Sequence, residues 1–175
     1  MKFRACILRL LLSLDLLMHV PMVMSEALPE FHVKAAFIYN FIAFTEWPDT
    51  VGNTLNLCIH GQSPLDKEID ALHGRFANNR EIVMQKQIEI EHLQDCQVIF
   101  IATTAIGDLP QIVDHLQGSP TLIIADSKNA AHQGATINMS IKNDKIVFDV
   151  NLEAAHQSGL KISSKLLGLA HKVYQ

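Results

Sequence analysis

Apolar residues recur along this chain in two rhythms. The stretch KAAFIYNFIAFTEWP, Lys34 to Pro48, is apolar almost without pause. It is shorter than the roughly 20 residues a membrane-crossing helix needs. At about 100° per residue, Lys34 and Thr45 project one way, Asn40 another and Glu46 a third, so there is no clean polar face. The pattern predicts a helix buried on more than one side. Pro48 should end it by pushing Trp47 out of helical geometry.

From Thr54 onward the rhythm alternates. TLNLCIHG is a short run of strand type stopped by glycine, and SPLDKEIDALHG places Leu65, Ile69 and Leu72 on one helical face behind Ser63 and Pro64. EIVMQKQ reads as a half-buried or edge strand, IEIEHLQDC as a short helix, and QVIFIATT as a buried strand. A helix follows at IGDLPQIVDHLQG, then a further buried strand at TLIIADS. Two alternating runs, Thr136–Ile141 and Lys145–Val150, flank Asn143-Asp144 and predict a hairpin. A short helix stopped by Gly159 comes next. The final helix, capped near Ser163 or Ser164, is predicted to carry a stripe of Leu166, Leu167, Ala170 and Val173. Repeated β-α units imply parallel strands with helices on both faces. The expected fold is therefore α/β: a three-layer, mostly parallel doubly wound sheet with a C-terminal β-hairpin and helix.

The first 27 residues read as an export signal, with Lys2, Arg4 and Arg9, an apolar middle from Leu10 to Val20, and Ser25-Glu26-Ala27 as cleavage pattern. Asp15 interrupts the apolar run, and cleavage after Ser25 or an uncleaved anchor are the competing readings. The domain then spans 28–175, long enough to bury a full core without disulfides or metals. Loss of the signal removes three of 14 basic and two of 18 acidic side chains, leaving a net charge of −5. That balance argues against nucleic acid or an anionic membrane surface as partner. Cys6 departs with the signal, leaving Cys58 and Cys96. The residues leave open whether these two bond. An exported pair can form a bridge, two buried thiols are the alternative, and a count along parallel strands in register sets them too far apart.

Candidate chemistry is sparse. The loop HGQSP lies where doubly wound folds bind ligands, which makes Gly61, Gln62 and Ser63 candidates for a small anion, with Asp126 at another strand end. An ordinary strand-to-helix turn is the competing account, and the glycine signatures of nucleotide enzymes are missing. The histidines of the exported chain lie at least ten residues apart, which withholds the clustered spacing of a metal site. Ser163-Ser164-Lys165 lacks the S-x-x-K spacing, so helix capping explains the serines. Elimination favours binding or regulation over catalysis, with no cofactor and no metal.

VKAAFIYNFIAFTEWP and IVFDVNLEAAHQSGLKISSKLLGLAHKV together resemble the YfiR-like family of bacterial periplasmic regulators, with LNLCIHG, LQDCQVIFIA and PTLIIADS between them in the family's order. The resemblance implies a non-enzymatic, dimeric periplasmic protein that represses a membrane-bound diguanylate cyclase through that enzyme's periplasmic part. Cyclic di-GMP output and biofilm formation would fall, and an outer-membrane lipoprotein could sequester the repressor. Cys58 and Cys96 match a cysteine pair recurring in the family, which implies a disulfide. The second pair of some members is missing here, so their redox regulation is not carried over. Repression needs a contact surface, for which Phe37, Phe41, Phe44, Phe148, Leu152, Leu160, Ile162 and Leu166 are candidates, core packing being the alternative for each. The competing function is a periplasmic small-molecule-binding sensory subunit of a signalling system.

Overall fold

A computed structural model of the protein describes residues 30–86 and 88–175. The expected export signal, residues 1–27, lies outside the described residues. The first element is α1, Glu30–Ala43. No helix among the described residues is long and apolar enough to cross a membrane. After α1 come β1 (Thr45–Glu46), β2 (Thr54–His60), α2 (Asp66–Asp70), β3 (Phe76–Ala77) and β4 (Arg80–Lys86). A 3-10 turn at Ile90–Asp95 leads to β5 (Val98–Ile101). A second at Thr103–Asp108 leads to α3 (Leu109–His115) and β6 (Leu122–Ala125). A third, Ala130–Gln133, precedes β7 (Ile137–Lys142), β8 (Lys145–Asn151), α4 (Leu152–Gln157), β9 (Lys161–Ile162), α5 (Ser164–Leu169) and β10 (Lys172–Tyr174).

Eight strands form one sheet in the order β10-β8-β7-β6-β5-β2-β4-β3. Strands β4, β2, β5, β6 and β7 run parallel, whereas β3 and β8 are antiparallel to their neighbours β4 and β7. Successive side chains in a strand point to opposite faces, so a strand covered on both sides must be apolar throughout. Leu55, Leu57 and Ile59 of β2 accordingly join one core, together with Val98 and Phe100 of β5 and Leu122 and Ile124 of β6. Cys58, Ile99, Ile101, Ile123 and Ala125 join the other. The first core is closed by Ile38, Phe41 and Ile42 of α1, the α2 segment, Ala155 and Leu166; the second by Leu93, Leu109, Ile112 and Leu116. This is the three-layer α/β sandwich that the alternation predicts.

Asn143 and Asp144 both take positive φ, 51° and 57°, as a two-residue hairpin turn demands, and they join β7 to β8. Pro110 sits in the first turn of α3, where its missing N–H is not needed.

Three local expectations are corrected. The final helix does not run through Val173: α5 stops at Leu169 after Ser163 has capped it, its hydroxyl accepting from the Leu166 N–H. Only Leu166 of the predicted stripe is buried within it. His171 N–H donates to the Phe148 carbonyl at 2.8 Å, and Lys172–Tyr174 then add to the sheet edge, with Val173 opposite Val150. Strand pairing there satisfies backbone groups that a frayed helix end would leave open. The IEIEHLQDC segment winds as a 3-10 turn instead of an α-helix. Finally, α1 ends at Ala43, ahead of the Pro48 stop, because Thr45 and Glu46 turn extended and pair with Ile162 and Lys161.

Candidate functional site

The carboxyl ends of the parallel strands are where a doubly wound sheet opens a crevice, at the point where the connections from a central strand diverge to the two faces. Here that point lies between β2 and β5, since α2 covers one face and the turn 90–95 the other. The crevice is narrowed where the two loops meet. Thr104 Oγ1 accepts from the Gln62 N–H at 3.0 Å and donates to the Gln62 carbonyl at 2.9 Å, which buttons the loop after β2 to the loop after β5. Gly61, at φ 87°, lies so close that an added Cβ would stand 2.6 Å from Ala105 Cβ and 3.0 Å from Thr104 Oγ1.

Gly61→Ala should therefore lower stability by about 2 kcal/mol, combining left-handed strain with the clash. Urea unfolding measures it. A loss below about 0.5 kcal/mol would mean that the two loops are not held together.

The four predicted ligand residues do not meet in one pocket. Gly61 and Gln62 line a cleft with His60, Ile88, Glu89, Ala105 and Asp108, and Gln62 also lines a separate shallow hollow with Ser63, Pro64, Asp66 and Thr104. Ser63 Oγ accepts from the Leu65 N–H, a turn contact. Asp126 is committed elsewhere: its Oδ2 accepts from Lys34 Nζ at 2.8 Å. Lys34 is 6% exposed, and Glu30 Oε1 lies 2.7 Å from the same ammonium. Burial alone would lower the lysine pKa. The hydrogen bonds and charges of Asp126 and Glu30 outweigh it and hold it above 10.5. This triad ties the start of α1 to the end of β6 and engages the Asp126 carboxylate.

Sequence reasoning missed this contact and the one at His60, whose Nε2 lies 2.9 Å from Asp108 Oδ2 and whose Nδ1 lies 3.1 Å from the Ile88 carbonyl. Both join residues dozens of positions apart, and no local spacing signals them. A further cavity, of about 570 Å3, is lined by residues of α3 and α4 with His132, Thr121 and Gly134, and shares none of the predicted ligand residues. Among the described residues no three His, Cys, Asp or Glu side chains are grouped to hold a metal.

The eight candidates for a contact surface divide in two. Phe41, Phe148, Leu160 and Leu166 are at most 3% exposed and belong to the core, so they are corrected to packing residues. The Phe41 and Phe148 rings lie 4.9 Å apart, because α1 lies across β8 and the two close the sheet face together. Phe37, Phe44, Leu152 and Ile162 pack on the same core but keep part of their surface outside. Phe44 and Ile162 are held side by side, with Ser163 N–H donating to the Phe44 carbonyl at 2.9 Å and Thr45 opposite Ile162. On the neighbouring α5, Leu169 is 72% exposed.

The family model described as YfiR/HmsC-like matches residues 31–171, from the first turn of α1 to the threshold of β10. The chain belongs to the YfiR/HmsC-like family. Members of that family are regulators rather than enzymes, act in the periplasm and belong to diguanylate cyclase signalling. Two solved structures share the fold alone. A conserved domain protein from Vibrio cholerae O1 biovar El Tor matches with TM-score 0.52 at 10% identity over 82% of this chain and 60% of its own. An ABC domain in complex with L-Trp from Streptococcus pneumonia matches with TM-score 0.53 at 12% identity over 77% of this chain and 58% of its own. This YfiR/HmsC-like chain thus spans about three fifths of each of those structures.

Proposed function

We propose that this chain is a repressor that docks on the periplasmic part of a membrane-bound diguanylate cyclase and lowers cyclic di-GMP output and biofilm formation. Family membership over residues 31–171 carries the reading. The reading assigns the docking strip to the half-buried residues Phe37, Phe44, Leu152 and Ile162, because apolar surface left outside a core is the usual material of a protein contact. Repression follows if the strip meets a surface that the inactive cyclase presents and the active one does not, since a ligand shifts an equilibrium only by its difference in affinity. A homodimer, and sequestration by an outer-membrane lipoprotein, complete the proposed cycle. Each would compete for or present the same strip.

Deletion of the gene is expected to raise cyclic di-GMP, and wild-type protein to restore it. Phe44→Asp or Ile162→Asp should fail to restore it while unfolding as cooperatively as wild type, with at least a tenfold loss of affinity for the cyclase's periplasmic part. No rise on deletion in any growth condition would defeat repression. Restoration by both aspartate variants would defeat the strip. A small-molecule sensory role has one observation in its favour, the cavity of about 570 Å3 between α3 and α4. It predicts a specific small molecule retained by the purified protein.

A further inference from the structure

His60 is the last residue of β2 and is 9% exposed. Both ring nitrogens face acceptors: the Ile88 carbonyl at 3.1 Å from Nδ1 and Asp108 Oδ2 at 2.9 Å from Nε2. A neutral imidazole has one N–H, and neither a carbonyl nor an ionised carboxylate can donate. Only the imidazolium completes both contacts. The charged groups lining the same cleft are Asp108 and Glu89, both acidic, and the other lining residues, Gly61, Gln62, Ile88 and Ala105, carry no charge.

We propose that His60 and Asp108 form a proton-dependent clamp, holding the turn Thr103–Asp108 closed over the β2–β5 crevice in acid and releasing it as the imidazole loses its proton. The direction of release follows from the partners. The Ile88 carbonyl belongs to main chain that leads into the turn Ile90–Asp95, whose far end is pinned to β2 by the Cys58–Cys96 bond. The Asp108 side chain is 48% exposed and can swing into water. A neutral ring therefore keeps Nδ1–H on Ile88 and turns a bare Nε2 towards Asp108, which leaves. The turn so loosened at its end carries Thr104 and Ala105, which close on Gln62 and Gly61, while Thr103 Oγ1, donating to the Asp126 carbonyl at 2.7 Å, still holds its start. An exported protein meets the pH of its surroundings more directly than a cytosolic one, and histidine is the side chain whose ordinary titration lies in that range.

The test is amide hydrogen exchange on the intact exported chain, expressed as protection factors so that the intrinsic pH dependence of exchange is removed. The two conditions are pH about 5.5 and about 8. Protection of the backbone amides from Ala105 to Asp108, and of Gln62, should fall about tenfold at the higher pH, the order of one charge-assisted hydrogen bond. Asp108→Asn should keep its protection at both pH values, because the new amide can donate to a neutral Nε2 or accept from a protonated one. A wild-type protein equally protected at the two pH values overturns the clamp. The same fall persisting in Asp108→Asn overturns it too, since the change would then arise elsewhere.

Discussion

Replacing Cys58 and Cys96 together by alanine is expected to lower the free energy of unfolding by about 4 kcal/mol. The bond spans 38 residues, so its absence returns a large loop-closure entropy to the unfolded chain. Both residues are buried, at 0% and 1% exposure, so truncation also leaves a void in the second core. Urea unfolding of the double variant, and of wild type with and without reductant, measures the effect. Reduced wild type should unfold close to the variant. A variant within about 1 kcal/mol of the oxidised protein would show that the bridge does little for the fold. The bond joins the central strand to the segment that crosses beneath it, so its loss should also loosen Ile88–Cys96 ahead of global unfolding.

The geometry of that bridge shows where sequence reading runs out. Cys58 stands opposite Ile99 in the parallel β2–β5 ladder, three residues beyond Cys96. Along a straight strand that offset is about 10 Å. The Cα atoms are nevertheless 6.0 Å apart, because Cys96 is not yet in the strand. The turn Ile90–Asp95 buries Leu93 against the outer face and delivers Cys96 beneath the sheet, on the side to which Cys58 points. Strand spacing was legible in LNLCIHG and QVIFIATT. The drop below the sheet was not, since it depends on where a non-local turn packs.

The same distinction runs through the rest of the molecule. Unbroken apolar runs marked β5 and β6 because a strand covered on both faces must be apolar on both, and a short strand-type run stopped by Gly61 marked β2. Asn143-Asp144 marked the hairpin because few residue pairs accept two positive φ values. The end of α1 and the course of β10 escaped because each is decided by a strand partner far away in sequence, Ile162 for one and Asp149 for the other. The surface we propose for docking was only partly legible in the aromatic run. Which rings face inward depended on β8 lying beneath it, so Phe41 went to the core and Phe44 stayed partly outside.

Asp126→Ala is expected to cost about 3 kcal/mol, and Lys34→Met markedly less. The asymmetry arises because an ammonium 6% exposed depends on its carboxylates, and removing one leaves a buried charge poorly compensated. Removing the ammonium instead takes away the charge that needed solvation and fills its place with an apolar stem of similar length. Asp126 and Glu30 then turn to water, Glu30 being already 44% exposed. Thermal unfolding at neutral pH ranks the two variants, and a larger loss for Lys34→Met than for Asp126→Ala would reverse the argument. The titration carries a second sign. The folded state holds the Lys34 proton more tightly than the unfolded chain, whose lysine sits near the ordinary 10.5, because Asp126 and Glu30 overcome the opposing effect of burial. The contribution of this triad is thus fully present at neutral and mildly acidic pH and is lost as pH rises through the raised folded value. Wild type should lose stability more steeply than Lys34→Met above pH 10.5, and parallel curves there would place the lysine's partners elsewhere. Since the triad fixes α1 to the end of β6, the alkaline loss should appear first as detachment of α1, the helix that carries Phe37 and leads into Phe44.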